Sequence, residues 1–329
     1  MAIEYVPKGT VFDYDDVMLV PNRCVVKSRS EVNVSTVFGG RTFNIPVVPA
    51  NMSTVVDETT AEWLAEHGCF YIMHRFAPFE PVEFTRTMKG KGLFSSISLG
   101  IKEGDYEILQ KFREAEATPD YITIDVAHGD SEEVFKIVKT IRSMFSRVFI
   151  IAGNVATAEG AQRLANAGAD AVKVGVAPGS ACLTAPNTGF GSRGWQLSAV
   201  EMVSQALDAS HPHVKVIADG GIRQFGDIAK SIAFGADFVM IGGMLAGHDE
   251  NPGEIIDIDG KPHKAFFGSA SEHQKGEHKH VEGKKMFLPY RGSLSVTLNT
   301  IKEHLQSSVS YAGGRELEDL RQSGYVRLK

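Results

Sequence analysis

Eight short runs of apolar, β-favouring residues recur along the chain. They are FNIPVVPA (43–50), CFYIMH (69–74), LFSSISL (93–99), YITIDVA (121–127), RVFIIAG (147–153), AVKVGV (171–176), VKVIADG (214–220) and FVMIGG (238–243). Most are continuous rather than alternating, the pattern of strands covered on both faces. Between many of them the apolar residues return every three or four positions, most clearly in 133–145, 158–168 and 198–209, which predicts helices. Asp130-Ser131 and Thr157 stand where N-caps belong, and Gly168 where a C-cap glycine belongs. Strands alternating with helices imply a parallel sheet, and eight such units predict an α/β fold of the (β/α)8 barrel type. A doubly wound open sheet is the second reading.

A barrel places its functional loops at the carboxyl ends of the strands. Here those ends read PANMS, MHRF, SLG, DVAHGD, GNVAT, GVAPGSAC, ADGGIR and IGGMLAG, the glycine- and polar-rich parts of the chain. Two segments depart from the pattern. Residues 1–42 are expected to cover the bottom of the barrel. Residues 247–292 are polar, poorly periodic and rich in Gly, His and Lys, and are expected to form a long irregular flap over the top. A closing helix is predicted over 293–309, with the tail packed nearby. The whole of 1–329 reads as a single catalytic domain without an inserted regulatory one.

Composition narrows the partners. A net charge of -6 leaves no basic surface for nucleic acid. No apolar run reaches the length of a membrane span, and the N-terminal residues lack the pattern of a secretory signal. Three cysteines without CxxC spacing do not form a disulfide framework. A cytoplasmic protein is expected.

GSACLTAPNTGFG (179–191) sets Cys182 among Gly179, Ser180 and Thr184. A thiol in a polar, turn-forming loop is read as a nucleophile rather than a small buried hydrophobe. Cys24 and Cys69, flanked by apolar residues, are read as packing. ADGGIR (218–223) and MIGGMLAG (240–247) pair Gly220 with Gly221 and Gly242 with Gly243 after the seventh and eighth runs. That is the usual phosphate site of this barrel, where backbone N–H groups approach phosphate oxygens. Asp219, just before the first pair, has the chemistry to accept both hydroxyls of a ribose. Together these features point to a nucleoside monophosphate, although paired glycines also suit the phosphate of a flavin. Asp125 ends the fourth run; His128 and Asp130 read as loop and cap. The eleven histidines show no HExxH pattern, and the run at 278–280 reads as a solvated face rather than a metal site. Glu282 is, from the residues alone, a surface charge.

PGSACLT, IADGGIR, MIGGMLAG, PANMS and the segment ending in LPYRG together resemble the IMP dehydrogenase/GMP reductase family. The likeness runs from DYDDVMLVP (13–21) to SYAGG (310–314). The chain is too short for the regulatory domain that the dehydrogenases usually insert. Its flap also lacks their Arg-Tyr pair, while 49–76 and FGSASEHQKGE look like the reductase branch from low-GC Gram-positive bacteria. The resemblance therefore implies reductive deamination of GMP to IMP and ammonia with NADPH, through a covalent cysteine–purine thioimidate, in a homotetramer. By position it assigns Cys182 as nucleophile and Thr184 with Glu282 as the pair assisting loss of ammonia. Ser180, Gly220, Gly221, Gly242 and Gly243 match the phosphate cradle, Asp219 the ribose contact, and Gly268 and Ser269 the region facing the base. Asp125 and Ser131 match the nicotinamide side. Carbonyls near Gly175, Gly179 and Cys182 match a monovalent-cation site, most often potassium. Two departures stand out: Ala177 where relatives carry glycine, and Ala185 where a basic residue is common. A dehydrogenase without its regulatory domain and a non-catalytic nucleotide-binding barrel are the alternatives.

Overall fold

The computed structural model describes Tyr5, residues 11–268, Ser271 and residues 283–328. Seven of the eight apolar runs become strands of one parallel sheet, and all but a few of their side chains are buried. In spatial order the strands are Val47–Pro49, Phe238–Ile241, Lys215–Asp219, Ala171–Val174, Phe149–Val155, Tyr121–Asp125 and Ser96–Leu99. From Ser96–Leu99 to Phe238–Ile241, strands consecutive in sequence lie side by side. The pair Val47–Pro49/Phe238–Ile241 (Val47 beside Val239) joins the two ends of the chain's strand series. Helices cover the outside. Glu132–Met144 shows why: Val134, Ile137, Val138 and Ile141 fall on one face and are buried. This curled parallel sheet with its outer helices is the (β/α)8 type of fold the pattern predicted, not an open doubly wound sheet.

The run 69–74 differs from expectation. Phe70 to Met73 are buried, yet no strand ladder forms. Side chains take the partners a ladder would use: the Ser98 hydroxyl donates to Met73 O at 2.5 Å, and Tyr71 OH to Phe94 O at 2.9 Å. One backbone bond, Met73 N to Ser96 O at 3.1 Å, fixes the segment along the sheet edge.

The predicted caps hold in part. Thr157 accepts from Gly160 N, and Gly168 ends its helix at φ 111°. Ser131 occupies the N-cap position but makes no side-chain cap bond, and Asp130 instead pairs with Arg163 at 2.6 Å.

Of the residues 1–42 expected to cover the bottom of the barrel, the strand Thr36–Phe38 does so in a hairpin with Arg41–Phe43, whereas Asp13 and Tyr14 pack near Gly194 and Gly221 at the other end. Phe38 and Phe43 insert into an aromatic cluster, with Phe38 4.7 Å from both Phe149 and Phe238. The stretch after Ile241 is less irregular than the polarity of 247–292 suggested. It holds the antiparallel sheet Ile256–Ile258, Lys261–Phe267 and Lys285–Pro289. Asp259 (φ 53°) and Gly260 (φ 75°) make the turn, and that Asp-Gly pair was the readable hairpin signal. The closing helix runs Leu294–Tyr311, N-capped by Ser293. The tail returns as Tyr325–Arg327 and pairs with Val17–Leu19. Among the described residues no helix is long and apolar enough to cross a membrane.

Candidate active site

The strand ends converge on a cleft of about 420 Å³. Its wall contains Ser180, Cys182, Thr184, Asp219, the glycine pairs 220–221 and 242–243, Gly268, Asp125, Gly175 and Gly179. Ser131 is not among its lining residues; it stands at the start of the helix Glu132–Met144. Ser269 and Glu282 lie outside the described residues.

Cys182 is half-buried, and its Sγ lies 3.3 Å from Thr184 Oγ1. The residue after Glu282 crosses directly over it: Gly283 forms an antiparallel bridge with Cys182, and Lys284 N donates to Ala181 O at 3.0 Å. The loop leading to the cysteine is clamped from beneath. Gln196 Nε2 donates to Val174 O at 2.7 Å and receives the Ser192 hydroxyl on Oε1 at 2.6 Å. Ser192 also accepts from Val176 N at 3.1 Å. Both residues are fully buried, so the loop's origin is set by a satisfied polar network.

Glycine is obligatory at one point in this region. Gly175 has φ 151°, and a Cβ there would sit 2.0 Å from Asp219 O. Ala177 adopts φ 60°, a left-handed conformation that costs an L-residue with a Cβ roughly 1–2 kcal/mol. A glycine there would adopt the same conformation without that cost.

The floor of the cleft carries charge. Lys173, 2% exposed at its side chain, places Nζ 2.9 Å from Asp125 Oδ1 and 3.3 Å from Asp219 Oδ2. Asn154 Nδ2 donates at 2.7 Å to both Asp219 Oδ2 and Gly175 O. Burial pushes the Asp125 carboxyl up, but the Lys173 ammonium, with the Arg75 guanidinium and a hydrogen bond from Asn51, outweighs it and holds the group below its ordinary value. Burial likewise disfavours the Lys173 ammonium, and the two carboxylates more than offset it. Sequence reading passed over Lys173, although a lysine inside a continuous apolar strand is seldom buried unless paired. Asn154, Ser192 and Gln196 carried no comparable signal.

Beside the start of the cysteine loop, against Pro178 and Gly179, Gly220 and Gly221 take φ 88° and 83°, which turns the backbone after Asp219 back toward the cleft. The Gly221 N–H meets no acceptor among the described residues. Asp219 Oδ1 and the buried Asn154 Oδ1 likewise have no partner there. The cleft thus offers an anion-facing turn, a free carboxylate oxygen and a thiol beside a hydroxyl. No group of three or more His, Cys, Asp or Glu suited to a metal ion occurs among the described residues.

The family model for the IMP dehydrogenase / GMP reductase domain matches residues 11–328. The chain belongs to the IMP dehydrogenase/GMP reductase family. Members similar to it include the GMP reductase of Ligilactobacillus salivarius (strain UCC118), 56% identical over 319 residues, covering 97% of both chains. The GMP reductase of Lactobacillus johnsonii is 55% identical over 318 residues, covering 97% of this chain and 95% of the relative. That of Staphylococcus carnosus is 54% identical over 319 residues, covering 97% of each. The expected likeness to reductases of low-GC Gram-positive bacteria is therefore borne out. Family membership also brings a nicotinamide cofactor in general terms and makes the chain an oxidoreductase.

Proposed function

We propose that the chain converts GMP to IMP and ammonia with NADPH, through a covalent bond between Cys182 and purine C2. The carrying observation is the cysteine–threonine pair, 3.3 Å apart, in a cleft that the Asp219–Gly221 turn also lines.

The residues present fit both molecules. The turn at Gly220–Gly221 and the pair Gly242–Gly243 receive the phosphate of GMP. The free oxygen of Asp219 accepts ribose hydroxyls. Ser180 joins the phosphate cradle, and Gly268 and Ser269 face the base. On the other side Asp125, with Val126 and Ala127 beside it in the wall, borders a flat ring; Ser131 completes that side of the reading. NADPH, when bound, supplies the hydride.

The Cys182 thiolate adds to C2 of GMP. Thr184, with Glu282, delivers a proton to the exocyclic nitrogen, because an amide anion is a poor leaving group. The C2–N bond breaks, ammonia leaves and a thioimidate remains on Cys182. Hydride arrives at C2 from the cofactor, the C2–S bond breaks, and the thiolate returns as IMP forms. Overall, GMP, NADPH and two protons become IMP, NADP+ and ammonium. The flap lacks an Arg-Tyr pair to activate water, so the intermediate is reduced rather than hydrolysed.

The carbonyls of Gly175 and Gly179 each already accept one N–H and retain a lone pair for potassium. This reading makes the protein a cytoplasmic, single-domain homotetramer of purine nucleotide interconversion.

The test is direct. Purified protein with GMP and NADPH should consume the reduced nicotinamide and release ammonia. Cys182→Ala should bind GMP but turn over none. Reduction of NAD+ by IMP with silence toward GMP would instead identify a dehydrogenase lacking its regulatory domain. Silence in both mixtures would leave a binding-only barrel.

A further inference from the structure

Four adjacent strands meet at Lys173. Tyr121–Asp125 brings Asp125, Phe149–Val155 brings Asn154, Ala171–Val174 brings the lysine itself and Lys215–Asp219 brings Asp219. The ammonium contacts one carboxylate at 2.9 Å and the other at 3.3 Å, and its side chain is 2% exposed while theirs are 17% and 18% exposed. The Lys173 ammonium therefore bridges the two carboxylates, and the Arg75 guanidinium, which also lines the cleft, acts on Asp125 besides. Asp219 adjoins the glycine turn, and Asp125 adjoins Val126 and Ala127.

We propose that Lys173 is a positioning residue that couples occupancy of the nucleotide half of the cleft to affinity for the nicotinamide half. The proposal deepens the function above and rests on it.

The physical argument is a shared charge. Asp219 Oδ2 takes donors from both Asn154 and Lys173, and its other oxygen is left for hydroxyls of a bound sugar. When those hydroxyls donate, the negative charge of Asp219 is distributed over more donors and its hold on Lys173 weakens. The ammonium then leans toward Asp125, its nearer partner. Around the buried ammonium, itself 2% exposed, charges interact at a lower effective dielectric than in bulk water, so such a redistribution is felt more strongly there. Asp125 becomes better neutralised and more firmly oriented, which alters the wall that the second ligand meets. Linkage makes the effect reciprocal: cofactor at Asp125 changes affinity for the nucleotide by the same factor.

Lys173 lines the cleft, but its ammonium is engaged by both aspartates. Its Nζ is occupied at the cleft floor, so it acts through the two aspartates and not on substrate atoms.

The experiment measures binding without turnover. GMP affinity is determined by calorimetry with and without saturating NADP+, which cannot deliver hydride, and the reverse titration checks reciprocity. The wild-type protein should show a ratio of roughly 5-fold or more. In Lys173→Met, which keeps the stem and loses the charge, the ratio should fall to within about twofold of unity, even if both separate affinities also drop. A lysine that only held the strands together would weaken both affinities and leave the ratio unchanged. Lys173→Met leaves two buried carboxylates facing each other, so Lys173→Met/Asp125→Asn serves where the single variant does not fold; it should also show no coupling. A ratio near one in the wild type, or an unchanged ratio in either variant, overturns the inference while the proposed function stands. Failure of the wild-type protein to bind GMP at all overturns both.

Discussion

The two ends of the barrel are built from opposite materials. The bottom is a cluster of rings: Phe38, Phe43, Phe70, Phe94, Tyr121, Phe149 and Phe238 are packed at centroid separations from 4.7 to 6.2 Å. The Tyr121 hydroxyl, donating to Phe38 O at 2.7 Å, is the polar exception. The mouth holds a lysine, two aspartates, an asparagine and a thiol within one cleft. Aromatic packing is judged by volume and shape, and tolerates an exchange that preserves both. The mouth is judged by atoms: an oxygen moved by an ångström is a different site. The two ends should therefore fail differently when altered.

Phe38→Ala tests the bottom and should give the largest loss of stability. Truncating a fully packed phenylalanine costs about 3–5 kcal/mol, measurable by denaturant titration. Activity per folded molecule should be unchanged, and a fall in kcat would show that the two ends are mechanically joined. Thr184→Val is the matching change at the mouth. It keeps the volume and removes the hydroxyl 3.3 Å from Cys182 Sγ, so kcat should fall by about 10² or more with the melting temperature unmoved. Loss of melting temperature with normal kcat would remove Thr184 from the proton relay.

Thiol chemistry gives a subtler contrast. Cys69 is buried, and burial pushes its thiol up to about 11. At mildly alkaline pH its thiolate population is about two orders of magnitude below that of an ordinary cysteine. Alkylation followed by peptide mass analysis should find Cys69 unmodified in the native protein. Cys24, which is exposed, should react whether or not GMP is present, while Cys182 should react only without it. Equal protection of all three would point to general stabilisation rather than occupancy of the cleft. The smallest effect belongs to Ala177→Gly. Relief of a left-handed alanine, partly offset by glycine's greater freedom in the unfolded chain, should raise stability by no more than about 1 kcal/mol. A lower melting temperature would mean that the Ala177 methyl, itself buried, contributes packing that outweighs its backbone cost.

The same contrast governs what could be read in advance. Continuous apolar runs announced the strands, and Thr157 and Gly168 announced their helix ends, because these rest on local periodicity and local backbone chemistry. The run 69–74 looked like its neighbours, yet Ser98 and Tyr71 took over its hydrogen bonds through contacts that no spacing encodes. The sheet within 247–292 went unrecognised because its strands are half exposed and set in a polar segment, so polarity masked alternation. At the mouth, Cys182 and the glycine pairs were legible from their loops. The charge network was not: Asp125, Asn154, Lys173 and Asp219 come from four strands and only become a unit when the barrel curls. Ser131 took its expected place at the start of the helix Glu132–Met144, while its part on the nicotinamide side rests on the resemblance alone.

The aromatic bottom also has a consequence for how the protein is made. Phe38 rests on Phe238, and the strand Val17–Leu19 finds its partner only in Tyr325–Arg327. A growing chain thus presents its earliest hairpin, rings outward, long before the surface that receives it has been synthesised. Contacts so distant in sequence form slowly, and unburied rings on an unfinished chain invite association with other chains. Ribosome-bound chains that stop short of Phe238 are expected to remain protease-sensitive, and the terminal seam to close only after release. For this protein, birth and folding are separate events, and the interval between them is when it most needs a chaperone.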